Sequence, residues 1–469
     1  MADESTTVVN PTQEDVFVRG LSEVAGGPMG EHAARPRPGA KLLTPARVVM
    51  VLAVLVFCLH WVQKSPCQDG SWQNFSQYRN FCYTDVLALY YAEHLSDGAV
   101  PYYDWPVEYP VLTGAFMEVA AQITWVITGD PHRDFSAALK RQTAGTFFVV
   151  NVLLLFMCAL VLVGFTLATA RGVARRPGGA RGQPNDALFV AAAPVLALTS
   201  TINWDLFAVA LTAVAMWAWA RGRPVLFGIL LGIGTAAKFY PFLLLGPLLI
   251  VCIRRREISA WLMATIATVA SWVAVNAPVY LLAKEQWLSF WDYNKNQRLS
   301  DYGSIWYVFK LADHEFANVN QLSLVIFVFF CVAIAVLGLL APQPPRFAQL
   351  AFLTVAAFLL VNKVYSPQYV LWLLPLVALA RPVLRDWLIW QFCEVFYWMM
   401  VWLHLAGFLA PGQSNAPDKI YWFAVILRLA GTMWLMAMVT RDILDPRHDP
   451  VRQHGLVDDP GGGVLVRAH

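Results

Sequence analysis

The chain has 469 residues, 58% of them hydrophobic and 14% charged, with a mean hydropathy of +0.51. A soluble domain carries about 25% charged residues, so a soluble fold is excluded and the composition is that of a polytopic membrane protein. The net charge of +3 says little about partners, because in such a protein charges sort by membrane side; no nucleic-acid partner is expected.

Residues 1–44 are polar, contain Pro and Gly, lack apolar periodicity and read as a disordered tail. The first apolar run begins near Pro45, too far into the chain for a cleavable signal peptide. Span 1 covers about 46–63 and follows Arg35, Arg37, Lys41 and Arg47, so the positive-inside rule puts the N-terminus in the cytoplasm and the loop 67–110 outside. The apolar stretch 109–128 is the difficult one. If it crossed, the Arg-rich loop with Arg171, Arg175, Arg176 and Arg181 would fall outside, against that rule. The expectation is therefore that 109–128 dips into the outer leaflet and stays on the side it came from. Spans then follow at about 143–170, 187–202, 205–220, 224–237, 241–253, 259–283, 320–340, 347–362, 370–380, 386–409 and 420–439. The basic residues Arg221, Arg223, Arg254, Arg255, Arg256, Arg346, Arg381, Arg385 and Arg441 all fall inside. The expected fold is all-α with about 12 transmembrane helices, a large first outer loop carrying interfacial helices, both termini cytoplasmic and a C-terminal tail over 441–469. Several spans are shorter than the ~20 residues that cross a bilayer, which suggests irregular helices around a cavity.

With that topology the polar interruptions collect on the outer face: Asp85, Glu108-Tyr109-Pro110, Asn203-Trp204-Asp205, Lys238-Phe239-Tyr240-Pro241, the loop 284–319, and Lys363 to Tyr369. Residue types suggest the chemistry. Asp85 opens a helical run and reads either as a general base for a substrate hydroxyl or as a helix cap. Lys238 and Lys363 end apolar spans beside aromatics; they either hold a phosphate or snorkel to the interface. Asp205 serves a substrate or pairs with a nearby cation. Glu394 and Arg428 read as a structural pair. The loop 284–319 interleaves Trp and Tyr with Lys295, Arg298 and His314, a mixture suited to a sugar or lipid headgroup or to an interfacial helix. Cys67 and Cys82 share the first outer loop and form a disulfide if it faces an oxidising compartment; two free thiols is the alternative.

The whole pattern resembles the C superfamily of glycosyltransferases, specifically glycosyltransferase family 87, which includes polyprenyl-phosphate-mannose-dependent α-mannosyltransferases of lipoglycan assembly. The matching pieces are Asp85 followed by Tyr91, Glu108-Tyr109-Pro110-Val111, Asn203-Trp204-Asp205-Leu206, Lys238-Phe239-Tyr240-Pro241 and Tyr365-Ser366-Pro367-Gln368-Tyr369. Val111 stands where the family repeats Pro. The resemblance implies a transmembrane glycosyltransferase domain over 45–440. It would move a sugar, mannose above all, from a polyprenyl phosphate to a glycolipid or lipoglycan hydroxyl on the outer face. Asp85 would be the base of an inverting displacement. Lys238, Lys363 and His314 would hold the donor phosphate, and Glu108, Tyr109, Asp205, Tyr240, Tyr365 and Gln368 would contact substrate. No metal or cofactor is expected. The rival readings are a transporter or flippase for a lipid-linked sugar and a non-catalytic scaffold that binds one.

Overall fold

The computed structural model describes residues 44–70, 72–129, 137–172, 184–409, 417–452 and 458–465. The expected N-terminal tail thus lies almost wholly outside the described residues, as do Arg175, Arg176 and Arg181. Among the described residues the protein is all-helical apart from one isolated bridge, Pro101 to Trp105. It is a polytopic membrane protein; the described residues include seven helices long and apolar enough to cross a bilayer, with shorter apolar helices between them.

Helix α1, Pro45–Lys64, is capped by Thr44, whose hydroxyl accepts from the Arg47 N–H. The loop after it is tied by a disulfide between Cys67 and Cys82 and leads into α2, Asp85–Ala92. Next come α3, Val111–Thr128, and the long α4, Ala137–Ala170. The expected span 187–202 is instead two short pieces, α5 Leu188–Ala191 and α6 Pro194–Thr199, broken ahead of Pro194, which has no N–H to continue a helix. The segment still runs the length of the bundle. Phe189 O accepts from Trp387 Nε1 near one end, and Ile202 O accepts from the Asp85 N–H at the other. Helices α7, Asp205–Ala220, and α8, Pro224–Ala237, match the expected spans. A 3-10 turn, Tyr240–Leu244, leads into α9, Leu245–Arg255. Then follow α10 Ile258–Leu282, α11 Lys284–Asp292, α12 Ile305–Leu311, α13 Val319–Leu340, α14 Phe347–Val361, α15 Val370–Ala380, α16 Leu384–Leu405 and α17 Pro417–Leu444.

Sequence explains which helices sit where. All of α15 is buried, as a helix apolar on every side must be if neighbours cover it. The equally apolar α13 buries only Ile334 and Gly338, so its apolar surface is left for lipid. Helix α8 packs closely on α10 because Gly228 and Gly232 lie one turn apart on the contact face. A Cβ at either would collide with the α10 backbone at Ala264 or Thr268, the small-residue packing typical of membrane helices. That contact fixes the end of α8, and with it Lys238.

Helix α3 is long enough to cross a bilayer, yet both of its ends touch one end of the bundle. In its first turn the Thr113 hydroxyl donates to Ala237 O at 2.6 Å, and Phe116 packs on Phe207 at the start of α7. In its last turns Trp125 neighbours Tyr90, which stacks on Phe147 of α4 with ring centroids 4.3 Å apart. The geometry agrees with the expectation that 109–128 returns to the side it came from. At the opposite end the chain beyond α17 does not trail away as a plain tail. Asp449 is buried against Arg346, and Leu465 is buried at the end of the last described stretch.

Candidate active site

Asp85 is not the cap of its helix. Thr84 takes that role: its hydroxyl accepts from the Val86 N–H at 3.2 Å and donates to Thr201 O at 2.5 Å. The Asp85 carboxylate is left free for other partners and sits half-buried. Asn203 Nδ2 donates to it at 2.9 Å, and Tyr83 hydrogen-bonds to it. Burial pushes the Asp85 carboxyl up to about 6, and the Asn203 and Tyr83 hydrogen bonds oppose the rise by favouring the charged form. The same Asn203 amide reaches the Tyr109 hydroxyl at 2.5 Å, which links Asp85 to the next feature.

Beyond Tyr109 lies a cavity of about 230 Å³. Three cations line it from three separate chain segments: Lys238 after α8, Arg298 after α11 and Lys363 after α14. Lys238 is boxed between the rings of Tyr109 and Tyr369, its Nζ 5.0 Å and 5.1 Å from their centroids, a favourable place for a cation. It also lies 3.4 Å from Asp205 Oδ1, which accepts from Trp372 Nε1 at 2.7 Å. Trp372 in turn is sandwiched, with Tyr240 stacked on one side at 4.5 Å and Tyr369 on the other at 4.0 Å. Arg298 is delivered by a wide π turn, Tyr293–Gln297, that ends α11 and brings Asn294 and Arg298 to the same wall. Burial and the neighbouring Arg298 guanidinium hold the Lys363 ammonium below its ordinary range. Glu108 is the one carboxylate among the lining residues. Glu93 Oε1 accepts from its backbone N–H at 3.2 Å, and burial pushes the Glu93 carboxyl up to about 7, with the Glu108 charge adding to the rise.

The structure thus gathers Lys238, Lys363, Glu108, Tyr109 and Tyr240 on one cavity, with Asp85 one residue behind it. The other expected contacts lie elsewhere. Asp205 is the buried partner of Lys238 and does not line the cavity. His314 sits on an exposed turn with Nδ1 on Ala312 O at 2.6 Å, away from the cations. Tyr365 turns into a separate buried cluster: its hydroxyl donates to Glu394 Oε1 at 3.3 Å, and the Arg428 guanidinium lies 3.5 Å from its ring centroid. Glu394 and Arg428 form the expected pair, at 2.8 Å. Gln368 is buried and also off the cavity. Pro367 begins a 3-10 turn over Pro367–Tyr369, and the turn presents Tyr369 rather than Tyr365 or Gln368. Arg298, Asn203 and Tyr369 are the functional candidates that sequence reasoning passed over. All three lay inside motifs already singled out; side-chain direction was the missing information.

Cations at one end of a cavity with aromatic walls suit a phosphate attached to an apolar or sugar group. A half-buried carboxylate beside them suits proton abstraction. Among the described residues no group of three or more His, Cys, Asp or Glu is placed to hold a metal ion.

Residues 135–362 match the family model of glycosyltransferase family 87. The matched region contains Asn203, Asp205, Lys238, Tyr240 and Arg298; Asp85 and Lys363 lie outside it. Among solved structures, a similar one is the crystal structure of ArnT from Cupriavidus metallidurans bound to undecaprenyl phosphate. It is 13% identical, covers 85% of this chain and 78% of that chain, and has a TM-score of 0.44. No curated protein matches the chain.

Proposed function

We propose that this membrane glycosyltransferase, which belongs to family 87 through residues 135–362, transfers a sugar from a polyprenyl phosphate to a glycolipid or lipoglycan hydroxyl. Mannose is the sugar we favour, from the motif resemblance. The observation that carries the reading is the joint arrangement of cavity and base. Lys238, Arg298 and Lys363 converge on one cavity, and Asp85 is coupled to it through Asn203 and Tyr109. The donor phosphate would lie against the three cations, and its polyprenyl chain would lie in lipid. The acceptor hydroxyl would approach Asp85. Its oxygen attacks the anomeric carbon, the bond from that carbon to the phosphate oxygen breaks, the bonding pair leaves with the polyprenyl phosphate, and the hydroxyl proton passes to Asp85. Attack from the face opposite the phosphate inverts the anomeric centre. The cations stabilise the charge that develops on the leaving phosphate.

We place this site on the outer face, with both termini cytoplasmic. The support is the basic loops at the other end of the bundle and the Cys67–Cys82 disulfide, which persists in an oxidising compartment.

The test is transfer by the purified full chain in liposomes, with a polyprenyl-phosphate-linked hexose as donor. Asp85→Asn should lower turnover by about 10²- to 10⁴-fold while donor still binds. Near wild-type transfer by that variant sinks the assignment of the base. Movement of the donor across the bilayer without sugar transfer by the wild type would instead make the protein a flippase.

A further inference from the structure

Among the residues that line the cavity, Glu108 is the one that a phosphate does not call for. Lys238, Arg298 and Lys363 attract an anion, and a carboxylate placed among them repels it. Nor is it a paired counter-ion. Arg298 feels its charge, yet among the described residues no Lys, Arg or His nitrogen lies within 4 Å of the Glu108 carboxylate; Lys238 pairs with Asp205 instead, at 3.4 Å. Tyr293, which opens the π turn, hydrogen-bonds to Glu108. An ionised carboxylate offers about four acceptor sites and no donor, so acceptor capacity is left for a ligand.

The carboxylate is not needed to hold its own loop. Glu93 Oε1 accepts from the Glu108 N–H at 3.2 Å, and the Tyr102 hydroxyl donates to Tyr109 O. The Thr113 hydroxyl ties the start of α3 to the carbonyl of Ala237, the residue before Lys238. The backbone is thus fixed by groups other than the Glu108 side chain, which reaches the cavity from a rigid support. Its place in the chain matters as well. The next residue, Tyr109, lines the same cavity, faces Lys238 with its ring and accepts from the Asn203 amide that holds Asp85. Glu108 therefore adjoins the residue that links the cations to the base. With the donor phosphate at the cations and the acceptor hydroxyl at Asp85, the transferred sugar has to lie along that link.

We infer that Glu108 recognises the sugar itself: its carboxylate accepts hydrogen bonds from hydroxyls of the transferred hexose and so selects which hexose is used. The inference rests on the proposed reading of the cavity as the donor site. A ligand group held by a carboxylate must donate hydrogen bonds. An ammonium does so, but three cations outnumber the one carboxylate and repel it. Neutral hydroxyls gain a charge-assisted bond from the carboxylate without that repulsion. Asn294 and Asn362, neutral amides on the same lining, suit hydroxyls too. A site built on such a bond rejects a sugar that lacks the hydroxyl, because the carboxylate is then desolvated with no partner.

The experiment is equilibrium binding, which needs no acceptor. The full chain in liposomes is titrated with polyprenyl-phosphate-linked mannose, with its monodeoxy analogues, each lacking one hydroxyl, and with polyprenyl phosphate that carries no sugar. Wild type is compared with Glu108→Gln and Glu108→Ala. Wild type should bind at least one analogue about tenfold to a hundredfold more weakly than the complete sugar. That difference should vanish in Glu108→Ala and be reduced in Glu108→Gln, which keeps one acceptor oxygen. Sugar-free polyprenyl phosphate should bind both variants as tightly as wild type or more tightly, because a repelling charge is gone; the same measurement shows that the variants are folded. Unchanged discrimination in Glu108→Ala overturns the inference, as does a wild type that binds every analogue equally, or an equal loss of sugar-bearing and sugar-free lipid in the variants. If wild type binds neither lipid, the donor-site reading has failed and the inference falls with it. If wild type binds both and discrimination survives in Glu108→Ala, only the role of Glu108 has failed.

Discussion

The two ends of the bundle treat charge in opposite ways. At the end that carries the C-terminal residues, charges are buried in matched sets. Arg346 pairs through Nε with Asp449 at 2.8 Å and donates to Leu379 O and Ala380 O; Arg381 bridges Asp386 and Asp442. At the site end, three cations face a shared cavity, and among the described residues only Lys238 has a carboxylate within 4 Å. Matched buried ions mainly fix geometry. Like charges aimed at an open cavity repel one another until an anion arrives, so they are of little use except to a ligand. Polar content alone would not separate the two ends, because both are rich in Arg and Asp; the pairing does.

That contrast can be broken most decisively at Asp85. Asp85→Asn should lower turnover by about 10²- to 10⁴-fold and leave the melting temperature near wild type. At the other end, Arg346→Ala strands Asp449 and should lower stability by roughly 3–5 kcal/mol. This is measured by thermal unfolding in detergent, and the donor KM of the molecules that remain folded should be unchanged. An altered donor KM would mean the two ends are coupled. Arg298→Gln should do the reverse, raising donor KM about tenfold to a hundredfold, the loss of one charge-assisted contact, with unfolding little affected. The pH profile sharpens the distinction further. Asp85 must be ionised to act and its carboxyl is raised to about 6, so kcat/KM should climb as pH rises through that value and level off above it. Lys363→Gln should have the smallest effect, a rise in donor KM of a few-fold, because Lys363 is half-exposed and water screens an exposed charge.

Much of this was legible in the chain itself. Helices α7 and α8 were readable to the residue, because Asp205, Arg221, Pro224 and Lys238 bracket unbroken apolar runs. The expectation that 109–128 does not cross came from the basic loop that follows, and the packing of both ends of α3 at one end of the bundle is consistent with it. The Glu394–Arg428 pair followed from two opposite charges in adjacent apolar helices. Other expectations differ from where the structure places the residues. His314 was grouped with the cations by proximity in sequence, but its turn points it outward. Tyr365 and Gln368 belong to the right motif but point away from the cavity, since the turn begun by Pro367 presents Tyr369. The C-terminal residues looked like a polar tail because their packing partners, Arg346 and the end of α7, lie far away in sequence.

The sequence by itself determined class and order. Hydrophobic run lengths set the helices, because transfer into lipid acts on residue type, and the distribution of Arg and Lys is what our proposed orientation rests on. It also singled out the segments that meet at the cavity. Only the tertiary structure decided which residue of each segment faces it. Lys238, Arg298 and Lys363 meet because helix packing, including the close Gly228 and Gly232 contact with α10, brings three distant helix ends together. Asp85 is available as a base because Thr84 caps its helix in its place. Lys64, an ordinary helix-end lysine in the sequence, is fully buried with its Nζ donating to Tyr83 O only once the disulfide-tied loop folds back over it. Residue type is a property of one position; direction and charge balance belong to the neighbours, and those are set by packing.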